Sequence, residues 1–195
     1  MAALECLVIG VDTREYLGRL VAGKACTYPA SDFENLSRFV QQKLTLPQYL
    51  TPILAGRSAG AALVYATLVQ APVNIFAGGV SIDFCPAAPL TRGVCRGLGL
   101  DWSEQGRLLP VPELRTPWLV LSQAGGEECW SMADAFLQQV KTVHILTPRQ
   151  KGGPGTQIRG ANDPLFEAVT LLSSKERKPT APTVQGSGKL KDLPL

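Results

Sequence analysis

Gly56-Arg57-Ser58-Ala59-Gly60 is the run in this chain whose residue types and spacing could do covalent chemistry. It fits the G-x-S-x-G pattern of a nucleophile elbow, where a serine sits on a sharp turn from strand to helix. The need for glycine is steric. Such a turn strains the serine backbone and crowds the residues two before and two after it, so Gly56 and Gly60 supply the room. Ser58 Oγ would then lie beside the first amides of the helix, where the dipole favours developing negative charge. The Ala59 N–H would be one oxyanion donor. The pentapeptide alone is a weak signal, the alternative being a glycine-bounded turn with an idle serine, and its position between a strand and a small-residue helix favours the elbow geometry.

A serine nucleophile needs a base, normally a histidine on a loop after the last strand. The single histidine, His144, lies in Thr142-Val143-His144-Ile145-Leu146, which alternates as a strand interior, so it reads as a structural or surface residue. The loop beyond, residues 147–155, holds Arg149, Gln150 and Lys151 but no histidine, and a lysine among glycines is solvated rather than basic. For the acid there are Glu127 and Glu128, following a strand at 118–121, and Asp83, at the end of a strand at 78–82. Taken singly, each reads more readily as an exposed loop acid. Five cysteines (Cys6, Cys26, Cys85, Cys95, Cys129) are too scattered for a zinc site and contain no C-x-x-C, so no metal or cofactor is expected. Cys85 and Cys95 flank a proline-rich segment and could close a small loop; buried free thiols are the equal alternative. The odd count leaves at least one cysteine free or paired outside the chain.

The elements that must position these residues follow from periodicity. Residues 4–11 read as a short buried strand, and Thr13 as the cap of a helix through Leu20. Ser31-Asp32-Phe33-Glu34 has capping-box spacing, with Leu36, Phe39, Val40 and Leu44 on one face of a helix that Pro47 stops. Ile53-Leu54-Ala55 is a strand running into the pentapeptide, and residues 61–69 form a helix apolar enough to be buried on most sides. Strands at 78–82, 118–121 and 142–146, a long excursion at 83–116, and helices at 131–140 and 164–172 complete the pattern. Strands alternating with helices imply an α/β fold, a mostly parallel sheet with helices on both faces.

Length and charge bound the function. The 195 residues suffice for one domain, here residues 1–172, followed by a disordered basic tail at 173–195. That tail (Lys175, Arg177, Lys178, Lys189 and Lys191 against Glu176 and Asp192) carries the whole net charge of +3. The neutral body argues against a nucleic-acid face. No run approaches the roughly 20 apolar residues of a transmembrane helix, and the run at 7–9 is too short for a signal peptide, which points to the cytoplasm if Met1 is the genuine start.

On these residues the chain resembles the AcvB/VirJ bacterial virulence protein family over about three quarters of its length. The matching stretches are residues 8–17, Tyr28-Pro29-Ala30-Ser31-Asp32-Phe33, the elbow with Ala61-Ala62-Leu63, Phe84-Cys85-Pro86 with Cys95, and Pro117-Trp118-Leu119-Val120-Leu121 before Cys129. The resemblance implies an α/β-hydrolase-like fold, a periplasmic setting, and hydrolysis of the ester joining an amino acid to phosphatidylglycerol. It also implies anionic phospholipid or type IV secretion components as partners. By position Ser58 would be the nucleophile, Glu127 or Glu128 would stand where the family has an aspartate, and an oxidising compartment would favour a Cys85–Cys95 bridge. The departures are specific. The family's Pro-Lys-Val-Gly-His-type loop corresponds to Pro148-Arg149-Gln150-Lys151-Gly152, so glycine stands in the place of the catalytic histidine. Arg57 replaces an aromatic residue, and the strand and glycine-rich loop that would give the other oxyanion donor are missing. The sheet is therefore expected to be incomplete at its N-terminal edge.

Three functions follow as expectations: a serine hydrolase of aminoacylated lipid with impaired or absent catalysis, a non-catalytic lipid- or protein-binding module on a hydrolase scaffold, or a degraded fragment without a stable fold. The first is favoured.

Overall fold

The computed structural model describes residues 7–23, 25–87, 90, 93–121, 127–146 and 169; at 127, 128, 130 and 146 it describes the backbone alone. Two helices, α1 (Thr13–Ala22) and α2 (Pro29–Lys43), precede the first strand, β1 (Ile53–Arg57). Then follow α3 (Ala59–Gln70), β2 (Gly78–Ile82), a long excursion, β3 (Trp118–Leu121), α4 (Glu127–Leu137) and β4 (Val143–Leu146). The four strands pair in chain order and all are parallel, with Ala55, Val80, Leu119 and His144 in one row across the sheet. This is an α/β fold.

Strand order decides where the helices go. Crossovers of a single hand between strands laid side by side in chain order all land on the same face. Helices on both faces require a reversal of strand order, and β1 to β4 contain none. Accordingly α1, α2, α3 and α4 all contribute to one core with Trp118 and Val120, while Val80, Leu119 and Leu121 form a smaller cluster with Ile53 and Ile82 on the other face. The helix expected at 164–172 lies outside the described residues except for Val169, which is helical and buried.

The central helix confirms its reading: ten of its twelve residues are buried. It presses so close to the sheet that a Cβ on Gly79 would come within 2.6 Å of Leu68 Cδ1 and 2.7 Å of Val64 Cγ1. Most polar groups in this core find partners, the Gln70 Oε1 being an exception among the described residues. Ser81 Oγ donates to the Ala61 carbonyl and accepts from Trp118 Nε1, each at 2.9 Å. Tyr65 packs with Phe84, Trp118 and Phe136, and its hydroxyl donates to Leu109 O (2.9 Å) and accepts from Val111 N (2.8 Å).

Several local expectations are corrected. Residues 7–11 form no strand, and Leu7, Val8, Ile9 and Val11 are exposed. An apolar run becomes a strand only where a neighbour supplies ladder partners, and no described strand runs beside this one. The cap of α1 is Asp12 rather than Thr13, its carboxylate accepting from Glu15 N at 2.9 Å. The next helix starts at Pro29, a residue suited to the first helical position, so Ser31 falls inside the first turn and makes no capping box. That helix also turns a different face inward. Ala30, Ser37 and Gln41 are buried while Phe39 and Leu44 are exposed. The polar face is tolerated because Gln41 Nε2 donates to Leu50 O and Ser37 Oγ, and Gln41 Oε1 accepts from Leu50 N.

The disulfide expectation is also overturned. Cys95 pairs with Cys26, and Cys85 pairs with Cys129; there is no Cys85–Cys95 bridge. The reason is backbone pairing that spacing along the chain does not reveal. Thr27 bridges Val94, with Thr27 N donating to Gly93 O and Cys95 N to Thr27 O, which sets Cys26 beside Cys95. Cys6 lies outside the described residues.

Candidate functional site

β1 ends at Arg57, Ser58 turns the chain, and α3 begins at Ala59. Ser58 adopts φ 54°, ψ −117°, a conformation that L-residues avoid and that costs on the order of 1–3 kcal/mol. It is held by Ser58 N donating to Ile82 O at 3.0 Å, and by Ser58 O accepting from Ala61 N (3.0 Å) and Ala62 N (3.3 Å). A Cβ on Gly56 would run into the Gly60 carbonyl, which is backbone and cannot give way. So Gly56 is required by contact. The serine itself is exposed at the carboxyl end of β1, beside the first-turn amides of Ala59 and Gly60.

The neighbouring strand end is unusual in the same way. Arg57 is in register with Ile82, so Ser58 and Asp83 are the next pair, and Asp83 has φ 52°. Asp83 N donates to Leu121 O at 3.1 Å, and its Oδ2 lies 2.9 Å from Arg57 Nε. Asp83 Oδ1 is buried with no hydrogen-bond partner among the described residues. Asp83 is therefore engaged with the arginine of the elbow rather than with any histidine.

Two further residues belong to this corner. A Cβ on Gly60 would meet Thr13 Oγ1 at 3.4 Å, so the head of α1 abuts the first turn of α3. The sequence points to Thr13 only as a helix cap; the small residue at Gly60 is the one signal in it of a close approach. Cys129, in the first turn of α4, is bonded to Cys85 two residues beyond Asp83. Glu127 and Glu128 begin the same helix, and their side chains lie outside the described residues.

His144 is not brought to the site. It sits in β4, three strands from β1, in the row of Ala55 rather than of Ser58. At about 4.8 Å per strand the offset is about 14 Å across the sheet, with a further ~10 Å along it. That is far beyond hydrogen-bond reach. Arg149, Gln150, Lys151 and Gly152 lie outside the described residues. Among the described residues no three His, Cys, Asp or Glu side chains gather as a metal site would require, and no helix is long and apolar enough to cross a membrane.

No protein-family model, curated protein or solved structure matches this chain. The corner must be interpreted from its own chemistry.

Proposed function

We propose that the chain is a serine-hydrolase-type protein of the AcvB/VirJ kind, related to hydrolases of aminoacyl-phosphatidylglycerol, whose turnover is impaired. The observation that carries this reading is the backbone of Ser58, strained at a strand-to-helix corner that Gly56 alone among amino acids can accommodate. Strain of this sort persists only where the surroundings enforce it, and it is concentrated at functional sites. Ser58 is the nucleophile. The Ala59 amide is one oxyanion donor. The acid is Glu127 or Glu128, with Asp83 as the alternative. Turnover is impaired because no histidine stands near Ser58 among the described residues, and removing the base of a serine triad costs about six orders of magnitude in rate.

The expected partner is an anionic phospholipid, with type IV secretion components following from the resemblance. Two disulfides suit an oxidising compartment such as the periplasm. The exposure of a serine with no base beside it also favours a second reading, a non-catalytic lipid- or protein-binding module on the same scaffold.

A fluorophosphonate probe separates the two. The hydrolase reading expects slow labelling that Ser58→Ala abolishes, with release of amino acid from aminoacyl-phosphatidylglycerol close to background. Absence of labelling, together with binding to phosphatidylglycerol vesicles over phosphatidylcholine vesicles, would leave the binding module standing and remove the hydrolase.

A further inference from the structure

Asp83, Phe84 and Cys85 are consecutive residues whose side chains grip three different parts of the carboxyl rim. Asp83 holds Arg57, the residue before Ser58. Phe84 is buried against Tyr65 of α3, Trp118 of β3 and Phe136 of α4. Cys85 is bonded to Cys129 at the head of α4, the turn that also carries Glu127 and Glu128. Two adjacent residues in left-handed conformations, Ser58 and Asp83, need surroundings that over-determine them. Backbone hydrogen bonds hold Ser58 to Ile82, Ala61 and Ala62 and Asp83 to Leu121, but the ion pair adds little to them, because the Arg57 side chain is 70% exposed and such pairs are weak. A covalent tie adds more.

We infer that Cys85 and Cys129 are positioning residues for Ser58, so that the reactivity of this serine depends on the bridge between them being oxidised. The inference rests on the serine-hydrolase reading. Both cysteines are half-buried, within reach of a small dithiol. Its thiolate attacks one sulfur, forms a mixed disulfide and releases the other cysteine as a thiol. The second thiol of the reagent then closes a cyclic disulfide and frees the remaining cysteine, a two-electron reduction of the protein matched by oxidation of the reagent. Re-formation takes a low-molecular-weight disulfide as oxidant, such as glutathione disulfide, by the reverse exchange.

The other bridge supplies the control. Cys26–Cys95 closes a loop of 69 residues and Cys85–Cys129 one of 44, so their chain-entropy contributions are nearly equal, but the former is not tied to the rim segment. The experiment measures the rate constant of fluorophosphonate labelling, resolved into its saturation constant and its maximal rate, for the full chain, C85A/C129A and C26A/C95A. A small displacement of a reacting group costs about tenfold or more in rate. The expected result is a loss of about that size in the maximal rate for C85A/C129A and little change for C26A/C95A. Equal losses in both, or none in C85A/C129A, would overturn the inference. If C85A/C129A does not fold, C26A/C95A treated with dithiothreitol under native conditions replaces it, with the same two outcomes. If the unaltered protein does not label, the hydrolase reading fails on its own. Hydrogen exchange at residues 58–62 and 82–86 then decides the positioning role: faster exchange in C85A/C129A than in C26A/C95A supports it, and equal exchange refutes it.

Discussion

Ser58 and Gly56 carry opposite stability signs, and that opposition can be measured. Ser58 holds φ 54° with a β-carbon in place, so Ser58→Gly relieves strain and is expected to raise stability by about 1 kcal/mol even though it removes the hydroxyl. Gly56→Ala does the reverse. Its methyl meets the Gly60 carbonyl, and the turn must open, at a cost of about 2 kcal/mol or more, with loss of labelling at Ser58. Urea denaturation of the two variants checks both signs. A destabilised Ser58→Gly would mean that the corner is not strained in solution. The corner was legible in the sequence because its requirement is local: glycine two before and two after a serine states the contact directly. What joins it from a distance was not legible. Nothing in Thr13, Asp83 or Cys129 as residues announces that they meet at the same rim, since the meeting depends on strand register and on where α1 packs.

Elements repeat the lesson with a different limit. The strands at 78–82 and 118–121 are readable because both are central and carry no charged residue, Ser81 being the one polar side chain in them, and the buried helix α3 because it carries no charge on any side. The face that the amphipathic α2 turns inward mixes Ala30 and Phe33 with Ser37 and Gln41, and Gln41 is satisfied by Leu50, a partner nine residues away that periodicity does not contain. The sequence shows the excursion only as irregular. Its attachment is made by single contacts such as Tyr65, which ties α3 to Leu109 and Val111. Burial pushes the Tyr65 phenol above the ordinary value of about 10, while the hydrogen bond from Val111 pulls it the other way. The folded state thus keeps its proton where the unfolded chain releases it. The stability this supplies is complete below pH ~10 and is lost as pH rises beyond that. Burial and the Asp32 carboxylate push Tyr16 in the same direction. Tyr65→Phe is expected to cost about 1–3 kcal/mol at neutral pH, by orphaning Leu109 O and Val111 N, and to flatten the alkaline limb of the stability curve. Chemical denaturation between pH 8 and 11 would test this, and parallel curves for variant and parent would refute the assignment.

At the scale of the molecule, the irregular excursion between β2 and β3 has isolated bridges but no ladder among its described residues. It contributes Phe84, Leu90, Val94, Leu100, Leu108 and Leu114 to the core, so its ordering must be secured by other means. The two disulfides do this by tying it at one point to the segment between α1 and α2 and at another to α4. A loop of 69 residues closed by Cys26–Cys95 removes conformational freedom worth about 4 kcal/mol from the unfolded chain, and the 44-residue loop about 0.4 kcal/mol less. For a chain of this size, each kcal/mol corresponds to about 2–4 °C in melting temperature. C26A/C95A is therefore expected to melt about 8–16 °C below the parent, and adding reductant should lower the melting of the parent by more than that of the variant. Both bridges form only if folding brings Thr27 beside Val94 and the end of β2 beside the head of α4. Calorimetry with and without dithiothreitol thus reads the tertiary pairing itself, and a parent whose melting ignores the reductant would show that the pairing does not exist in solution.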